Sequence, residues 1–323
     1  MQYRALGNSG FEVSVIGFGT WATGARDYGR VEDQDSIKAI RRAFDLGVNL
    51  FDTAPIYGSG HAEEVLGRAV EPFRHEVFLA TKCGPVEVRP GLVRLDLTAD
   101  GILAQCDASL RRLRTDHLDL LQVHWNDPAC PVAETVAALV RLVESGKVRA
   151  IGVSNFSRTD IEAACAAGPV ASLQSRYSLL RREVESEILP LCREKNVGFL
   201  AYEPLARGLL AGRMDPRRRF EPGDIRARDP DFQGERFHQR LEVVRRFAEF
   251  AARHGWTAAQ LALAWVAAQP GVTSVLAGAK SAAQAAENAK AADVALDPEI
   301  AAQAAEILAP LGSSGQAPRP SCE

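Results

Sequence analysis

Eight short apolar runs, rich in β-branched residues, recur along the chain, and a longer amphipathic stretch follows each one. The runs are VSVIGFG (13–19), VNLFD (48–52), EVFLATK (76–82), LDLLQVH (118–124), VRAIGVSN (148–155), ASLQS (171–175), VGFLAY (197–202) and TSVLAG (273–278). Parallel strands need crossover connections, so this alternation implies an α/β protein with a parallel sheet. Eight such units within 323 residues favour closure into a (β/α)8 barrel over a doubly wound open sheet. No stretch is left over for a second domain, so one barrel domain is expected over residues 1–311. MQYRALGNSGFEV, ahead of the first run, has a turn-prone centre and is expected to form an N-terminal β-hairpin plugging the barrel bottom. The stretch 213–236, rich in Pro, Arg and Asp, reads as one long loop, either a solvated excursion or a lid. Residues 312–323 are poor in apolar side chains and are expected to be a disordered tail.

Composition narrows the function. A net charge of -3 gives no basic field for nucleic acid. No apolar run reaches the length of a membrane span, and the N-terminus lacks the basic and apolar regions of a signal peptide. The six cysteines lack metal-type spacing and suit free thiols in a reducing cytosol. HEVFL is not a zinc-binding H-E-x-x-H, and GAKS is not a phosphate loop, so no metal site is expected.

Three of the runs end in an ionisable residue: Asp52, Lys82 and His124. In a parallel barrel those ends share one rim, where barrel enzymes keep their active sites. Tyr57 joins them from the loop after the second run. Each has a structural alternative: a turn cap for Asp52, a solvent-reaching charge for Lys82, a satisfied polar core group for His124, an aromatic cover for Tyr57. Their convergence favours chemistry. A phenol with a pKa of about 10 is a poor acid at neutral pH, and a nearby ammonium is expected to lower that value. Asp52 would hold Lys82 charged, and His124 would orient a substrate oxygen or assist proton transfer. The set suits protonation of a carbonyl oxygen while a hydride from a nicotinamide attacks carbon.

These residues lie in motifs that resemble the aldo-keto reductase family along nearly the whole chain. GFGTW (17–21), FDTAPIYGSGHAEEVLG (51–67), ATK (80–82), LLQVHW (120–125), IGVSNF (151–156) and AYEPLARGLLAG (201–212) follow its signatures in order and spacing. The resemblance implies a catalytic tetrad of Asp52, Tyr57, Lys82 and His124, and NADP(H) lying across the rim without a Rossmann domain. It is consistent with GFGTWATG, which is spaced wrongly for a dinucleotide fingerprint. By the same resemblance Gly19, Thr20, Trp21 and Asp52 line the cofactor groove. Ser154, Asn155 and Gln174 would meet the carboxamide, and Tyr202 would stack on the nicotinamide. Pro204, Leu205, Gly208 and Leu209 would run beside the pyrophosphate. Gly278 and Lys280 would reach the adenosine phosphate, with Gln284, Glu287 and Asn288 on the helix that follows. That helix, SAAQAAENAKAA, is Ala-rich and would form on a surface without any ligand. Trp21, Tyr57, His124 and Trp125 would line the pocket of a small-molecule carbonyl substrate. The reading is thus a cytoplasmic NADP(H)-dependent reductase of aldehydes and ketones. Its rivals are a cofactor-binding regulatory subunit like those on potassium channels, and a lyase forming a Schiff base at Lys82.

Overall fold

A computed structural model describes residues 1–89 and 91–312. Eight parallel strands close into a barrel in sequence order: β1 (Ile16–Gly19), β2 (Leu50–Asp52), β3 (Phe78–Cys83), β4 (Leu118–Val123), β5 (Val148–Ser154), β6 (Val170–Arg176), β7 (Gly198–Tyr202) and β8 (Val272–Ala277). β8 pairs back onto β1, with Val275 opposite Ile16, so no edge remains. The single (β/α)8 domain expected from the strand–helix rhythm is the fold observed.

Alternation along each strand sorts the side chains. On β3, Leu79 and Cys83 pack outward against the helices, whereas Phe78 and Ala80 join an inner cluster with Leu50, Leu120, Leu200 and Leu276. Lys82 continues the inward series, and so do Asp52 on β2 and Gln122 on β4, which pairs with Lys82 in register. Two small residues make room inside: a Cβ on Gly17 would lie 2.8 Å from Leu276, and one on Gly152 would lie 2.2 Å from Ser172 Oγ.

The N-terminal hairpin pairs Tyr3–Ala5 with Glu12–Ser14 and sends Leu6, Phe11 and Val13 into the inner cluster, closing the barrel bottom. A second hairpin, Pro85–Arg89 with Leu92–Leu95, follows β3 on the opposite rim and is absent from the sequence reading. The helices carry their own start signals. Ser157 with Asp160 and Thr257 with Gln260 form capping boxes at the helices Arg158–Ala167 and Ala258–Ala267. The segment 213–236 is not one structureless loop. It holds short 3-10 turns at Ile225–Ala227 and Pro230–Phe232, each started by an aspartate cap, and its last residues begin the helix Gly234–Arg253. Cys83, Cys106, Cys130, Cys165 and Cys192 are free thiols. The tail expected from 312 lies, beyond Gly312, outside the described residues, as does Cys322. Among the described residues no helix is long and apolar enough to cross a membrane.

Candidate active site

The C-terminal rim gathers the four ionisable residues. Lys82 is buried, and its Nζ donates to Asp52 Oδ1 at 2.6 Å and to the Thr53 carbonyl at 2.8 Å. The second Asp52 oxygen accepts from Gln174 Nε2 at 2.8 Å and from Gln122 Nε2 at 3.2 Å. Buried charge without partners would cost several kcal/mol, so this satisfaction is what lets an ammonium and a carboxylate persist inside a barrel. The Lys82 ammonium lies 5.2 Å from the centroid of the Tyr57 ring. Tyr57 stacks on Trp21 with centroids 5.8 Å apart and meets His124 edge-on at 6.0 Å. His124 lies flat against Trp125. The expected pocket residues Trp21, Tyr57, His124 and Trp125 therefore form one connected aromatic group. Trp21 Nε1 is fixed by Asp27 Oδ2 at 2.6 Å.

The electrostatics differ from the sequence expectation at one point. Burial pushes the Tyr57 phenol well above its ordinary value, and the Asp52 carboxylate adds to the shift. The expected lowering by Lys82 does not dominate, because that ammonium is bonded to the Asp52 carboxylate, whose charge opposes its effect on the phenol. Burial also lowers Lys82, against the pull of Asp52. His124 falls well below the usual imidazole value through burial and the Lys82 charge, so it is neutral at physiological pH. Its buried Nδ1 has no partner among the described residues.

Around this centre lie the residues expected to hold a dinucleotide. Tyr202 donates to Asn155 Oδ1 at 2.8 Å, while Asn155 Nδ2 donates to Ser154 Oγ at 3.0 Å and to the His124 carbonyl at 3.1 Å. Asn155 itself has a left-handed backbone, φ 58°. Gly19 and Gly278 face each other at the ends of β1 and β8, and a Cβ on Gly278 would lie 3.3 Å from the Gly19 carbonyl oxygen. Thr20 binds the Asp52 carbonyl through its amide at 2.9 Å. After β7 the chain makes a turn containing Pro204 and Leu205 in which Glu203, Ala206 and Arg207 all adopt positive φ (52°, 47° and 58°), followed by Gly208 and Leu209. Each non-glycine left-handed residue costs about 1–2 kcal/mol, so surrounding contacts must hold this turn.

At the far end, Lys280 Nζ donates to the Tyr28 carbonyl, and the Lys280 amide donates to Gln284 Oε1 at 2.8 Å. Burial lowers the Lys280 amine, and the positive Arg226 and Arg218 of the 213–236 segment add to that effect. Asn288 Nδ2 holds the Gly278 carbonyl at 3.1 Å, and Glu287 pairs with Arg213 at 2.5 Å. The 213–236 segment thus lies against this end of the rim, and its Ile225 amide donates to the Asp27 carbonyl at 2.8 Å.

Two features escaped the sequence reading. Gln122 braces Asp52, and its position two residues before His124 on one strand is a period-two signal that it too points inward. Glu87, on the unforeseen hairpin, accepts from Ser59 and from Arg26 Nη1 at 2.9 Å, tying the loops after β1, β2 and β3 together. Those contacts and the Gly91 amide hold its carboxyl down at about 2.

The chain matches the model of the Aldo/keto reductase family over residues 15–309. An aldo-keto reductase of Bacillus subtilis (strain 168) is 39% identical over 287 residues, covering 88% of this chain and 86% of its own length. The NADH-specific methylglyoxal reductase of Escherichia coli (strain K12) is 35% identical, covering 95% of this chain and 99% of its own. Among solved structures, the glycerol dehydrogenase of Gluconobacter oxydans superposes with a TM-score of 0.87 at 34% identity, covering 98% of each chain. An aldo/keto reductase from Klebsiella pneumoniae in complex with NADP and acetate gives 0.75 at 32% identity, covering 95% of each chain.

Proposed function

The chain belongs to the aldo-keto reductase family and is an oxidoreductase of carbonyl groups; from that premise we propose that it reduces aldehydes or ketones with NADPH, Tyr57 giving the proton to the carbonyl oxygen. The observation that carries this reading is the buried Lys82–Asp52 pair beneath the Tyr57 ring, with a neutral His124 at the ring's edge. A phenol raised by burial is fully protonated at neutral pH, so the donor is always loaded. When the proton leaves, the Lys82 ammonium, 5.2 Å from the ring centroid, opposes the burial cost as charge forms on the phenolate. Asp52, braced by Gln122 and Gln174, fixes that ammonium. A neutral His124 cannot repel it and offers a ring nitrogen to the substrate oxygen. Trp21 and Trp125 exclude water from the carbonyl and give the pocket an aromatic wall.

The residues present fit a nicotinamide dinucleotide, which when bound would supply the hydride. The Ser154 hydroxyl and the Gln174 Oε1 would meet the carboxamide, because Gln174 Nε2 and both ends of the Asn155 amide already serve the protein. Tyr202, held by Asn155, would stack on the ring. The turn Glu203–Leu209 would flank the pyrophosphate, and Lys280 would take the 2'-phosphate, with Gln284, Glu287 and Asn288 around the adenosine. The relatives divide on coenzyme: one is NADH-specific by name, and another structure holds NADP. Lys280, Arg226 and Arg218 outnumber the one carboxylate acting among them, Asp224, and a 2'-phosphate carries nearly two negative charges, which favours NADPH. Parallel fluorescence titrations with NADPH and NADH, followed by coenzyme oxidation across a panel of aldehydes, ketones and sugars, test the reading. Tighter NADPH binding with turnover of at least one carbonyl is expected; coenzyme binding with no turnover of any would overturn the catalytic part.

A further inference from the structure

Two backbones touch directly beside Tyr57. A Cβ on Gly58 would lie 2.3 Å from the Gly24 carbonyl oxygen, and one on Gly24 would lie 2.9 Å from the Gly58 amide nitrogen. The loops after β1 and β2 therefore meet with no side chain between them. Amide–carbonyl bonds shape the second loop: Tyr57 donates to Ala54 at 3.1 Å, and His61 to Gly58 and Ala62 to Tyr57 at 3.2 Å each. These bonds are internal to the loop and do not fix where it sits along its neighbour. The Tyr57 ring is placed by its contacts with Trp21, His124 and the Lys82 ammonium. Ring contacts of this kind span a range of offsets and distances, so they tolerate sliding.

Glu87 supplies the directional restraint, and it reaches both loops within two residues of their contact. Its Oε2 accepts from the hydroxyl of Ser59, next to Gly58. Its Oε1 accepts from Nη1 of Arg26, two residues past Gly24, at 2.9 Å. The same Oε1 accepts from the Gly91 amide at 2.8 Å, across the turn of its own hairpin, so the carboxylate is anchored on its own side as well. Arg26 is 45% exposed and Glu87 14%, and a half-exposed ion pair contributes little stability. The stronger arm is the Ser59 bond, because its acceptor is ionised. Ser59 lies between Gly58 and Gly60, and all three have left-handed backbones (φ 55°, 61° and 95°). No helix or strand holds these three residues, and the Ser59 side chain is their grip on the hairpin.

We propose that Glu87 is a positioning residue for proton transfer: holding Ser59 with one oxygen and Arg26 with the other, it fixes the loop that carries Tyr57 against the loop that carries Trp21. Its catalytic consequence rests on the proton-donor reading above.

The test uses Glu87→Gln, which keeps the shape but leaves one acceptor oxygen for two loops, and Ser59→Ala, which cuts only the Tyr57 side. Each should lower kcat about tenfold, less than a full 1 Å misplacement costs, with the carbonyl KM and the Kd for NADPH within about threefold. Adding Glu87→Gln to Tyr57→Phe should change the remaining rate by less than about twofold, because a positioning residue acts only through the group it positions. Hydrogen exchange of the ligand-free protein should quicken about tenfold in 57–62 in both variants, with the barrel strands unchanged. A further tenfold loss on the Tyr57→Phe background would show that Glu87 acts independently of Tyr57 and would overturn the proposal. So would a raised KM with kcat unchanged, or unaltered exchange in 57–62. If Tyr57→Phe alone turns over at nearly the wild-type rate, the proton-donor reading falls, and the exchange measurement still decides whether Glu87 holds the loop.

Discussion

Asp52→Asn probes the buried centre most quantitatively. The substitution preserves shape and leaves an oxygen able to accept from Gln122 and Gln174, but it removes the charge opposite Lys82. Lys82 keeps the Thr53 carbonyl, and little else compensates an ammonium that is 1% exposed. Breaking one partner of a buried pair costs about 3–5 kcal/mol. A ceiling comes from the amine itself: discharging a lysine with an ordinary pKa of about 10.4 at pH 7 costs roughly 4.6 kcal/mol, after which no buried charge remains. A loss of about 4 kcal/mol is therefore expected at pH 7. With an unfolding entropy of about 0.7 kcal/mol/K for a chain this size, Tm should fall by about 6 °C. The loss should also depend on pH. In the variant the folded Lys82 pKa lies further below its unfolded value, so the unfolded state binds more protons, and the variant's stability rises with pH. Urea titrations of both proteins from about pH 7 to about pH 10 should show the gap shrinking as the lysine discharges in either state. A gap under about 1 kcal/mol, or one that does not change with pH, would refute the view of Lys82 as a buried ammonium held by Asp52.

The pH dependence of catalysis follows from the opposite shifts of Tyr57 and His124. The rate of carbonyl reduction should stay level near neutral pH and fall only in the alkaline range, where Lys82 discharges and, higher still, the phenol loses its proton; a limb near pH 7 would contradict these directions. Lys280→Ala should raise the Kd for NADPH about tenfold at low salt and barely alter that for NADH, since the 2'-phosphate distinguishes them. Equal loss of both coenzymes, or of neither, in parallel fluorescence titrations would remove Lys280 from the phosphate site.

The barrel was legible because each strand is a short β-branched run bounded by polar turns, and helices with apolar faces fill the gaps. Boundaries were less so. VSVIGFG reads as one strand, yet its first residues pair in the N-terminal hairpin, where the Asn49 side chain accepts from the Ser14 amide, and β1 begins only at Ile16. PVEVRPGLVRL carries its own hairpin signal, alternating residues around Pro-Gly, but it sits inside a strand–helix connection, where the barrel rhythm leaves only a loop to expect. The strand ends identify Asp52, Lys82 and His124 because a parallel barrel brings all such ends to one rim. The direction of Tyr57's shift could not be read the same way, since it depends on burial and on the Asp52 charge bonded to Lys82. Nor could the turn after β7: Glu203, Ala206 and Arg207 have no sequence preference for positive φ, and local amide–carbonyl bonds together with tertiary ion pairs hold them there.

The central claim is that Tyr57 is the proton donor, and Tyr57→Phe measured with bound NADPH tests it most directly. The phenylalanine ring keeps the stacking with Trp21 and removes only the hydroxyl. Single-turnover oxidation of NADPH by a carbonyl substrate should slow by about 10²–10⁴-fold, while the Kd for NADPH stays within about twofold. A turnover rate within twofold of wild type would show that the carbonyl oxygen takes its proton from another group.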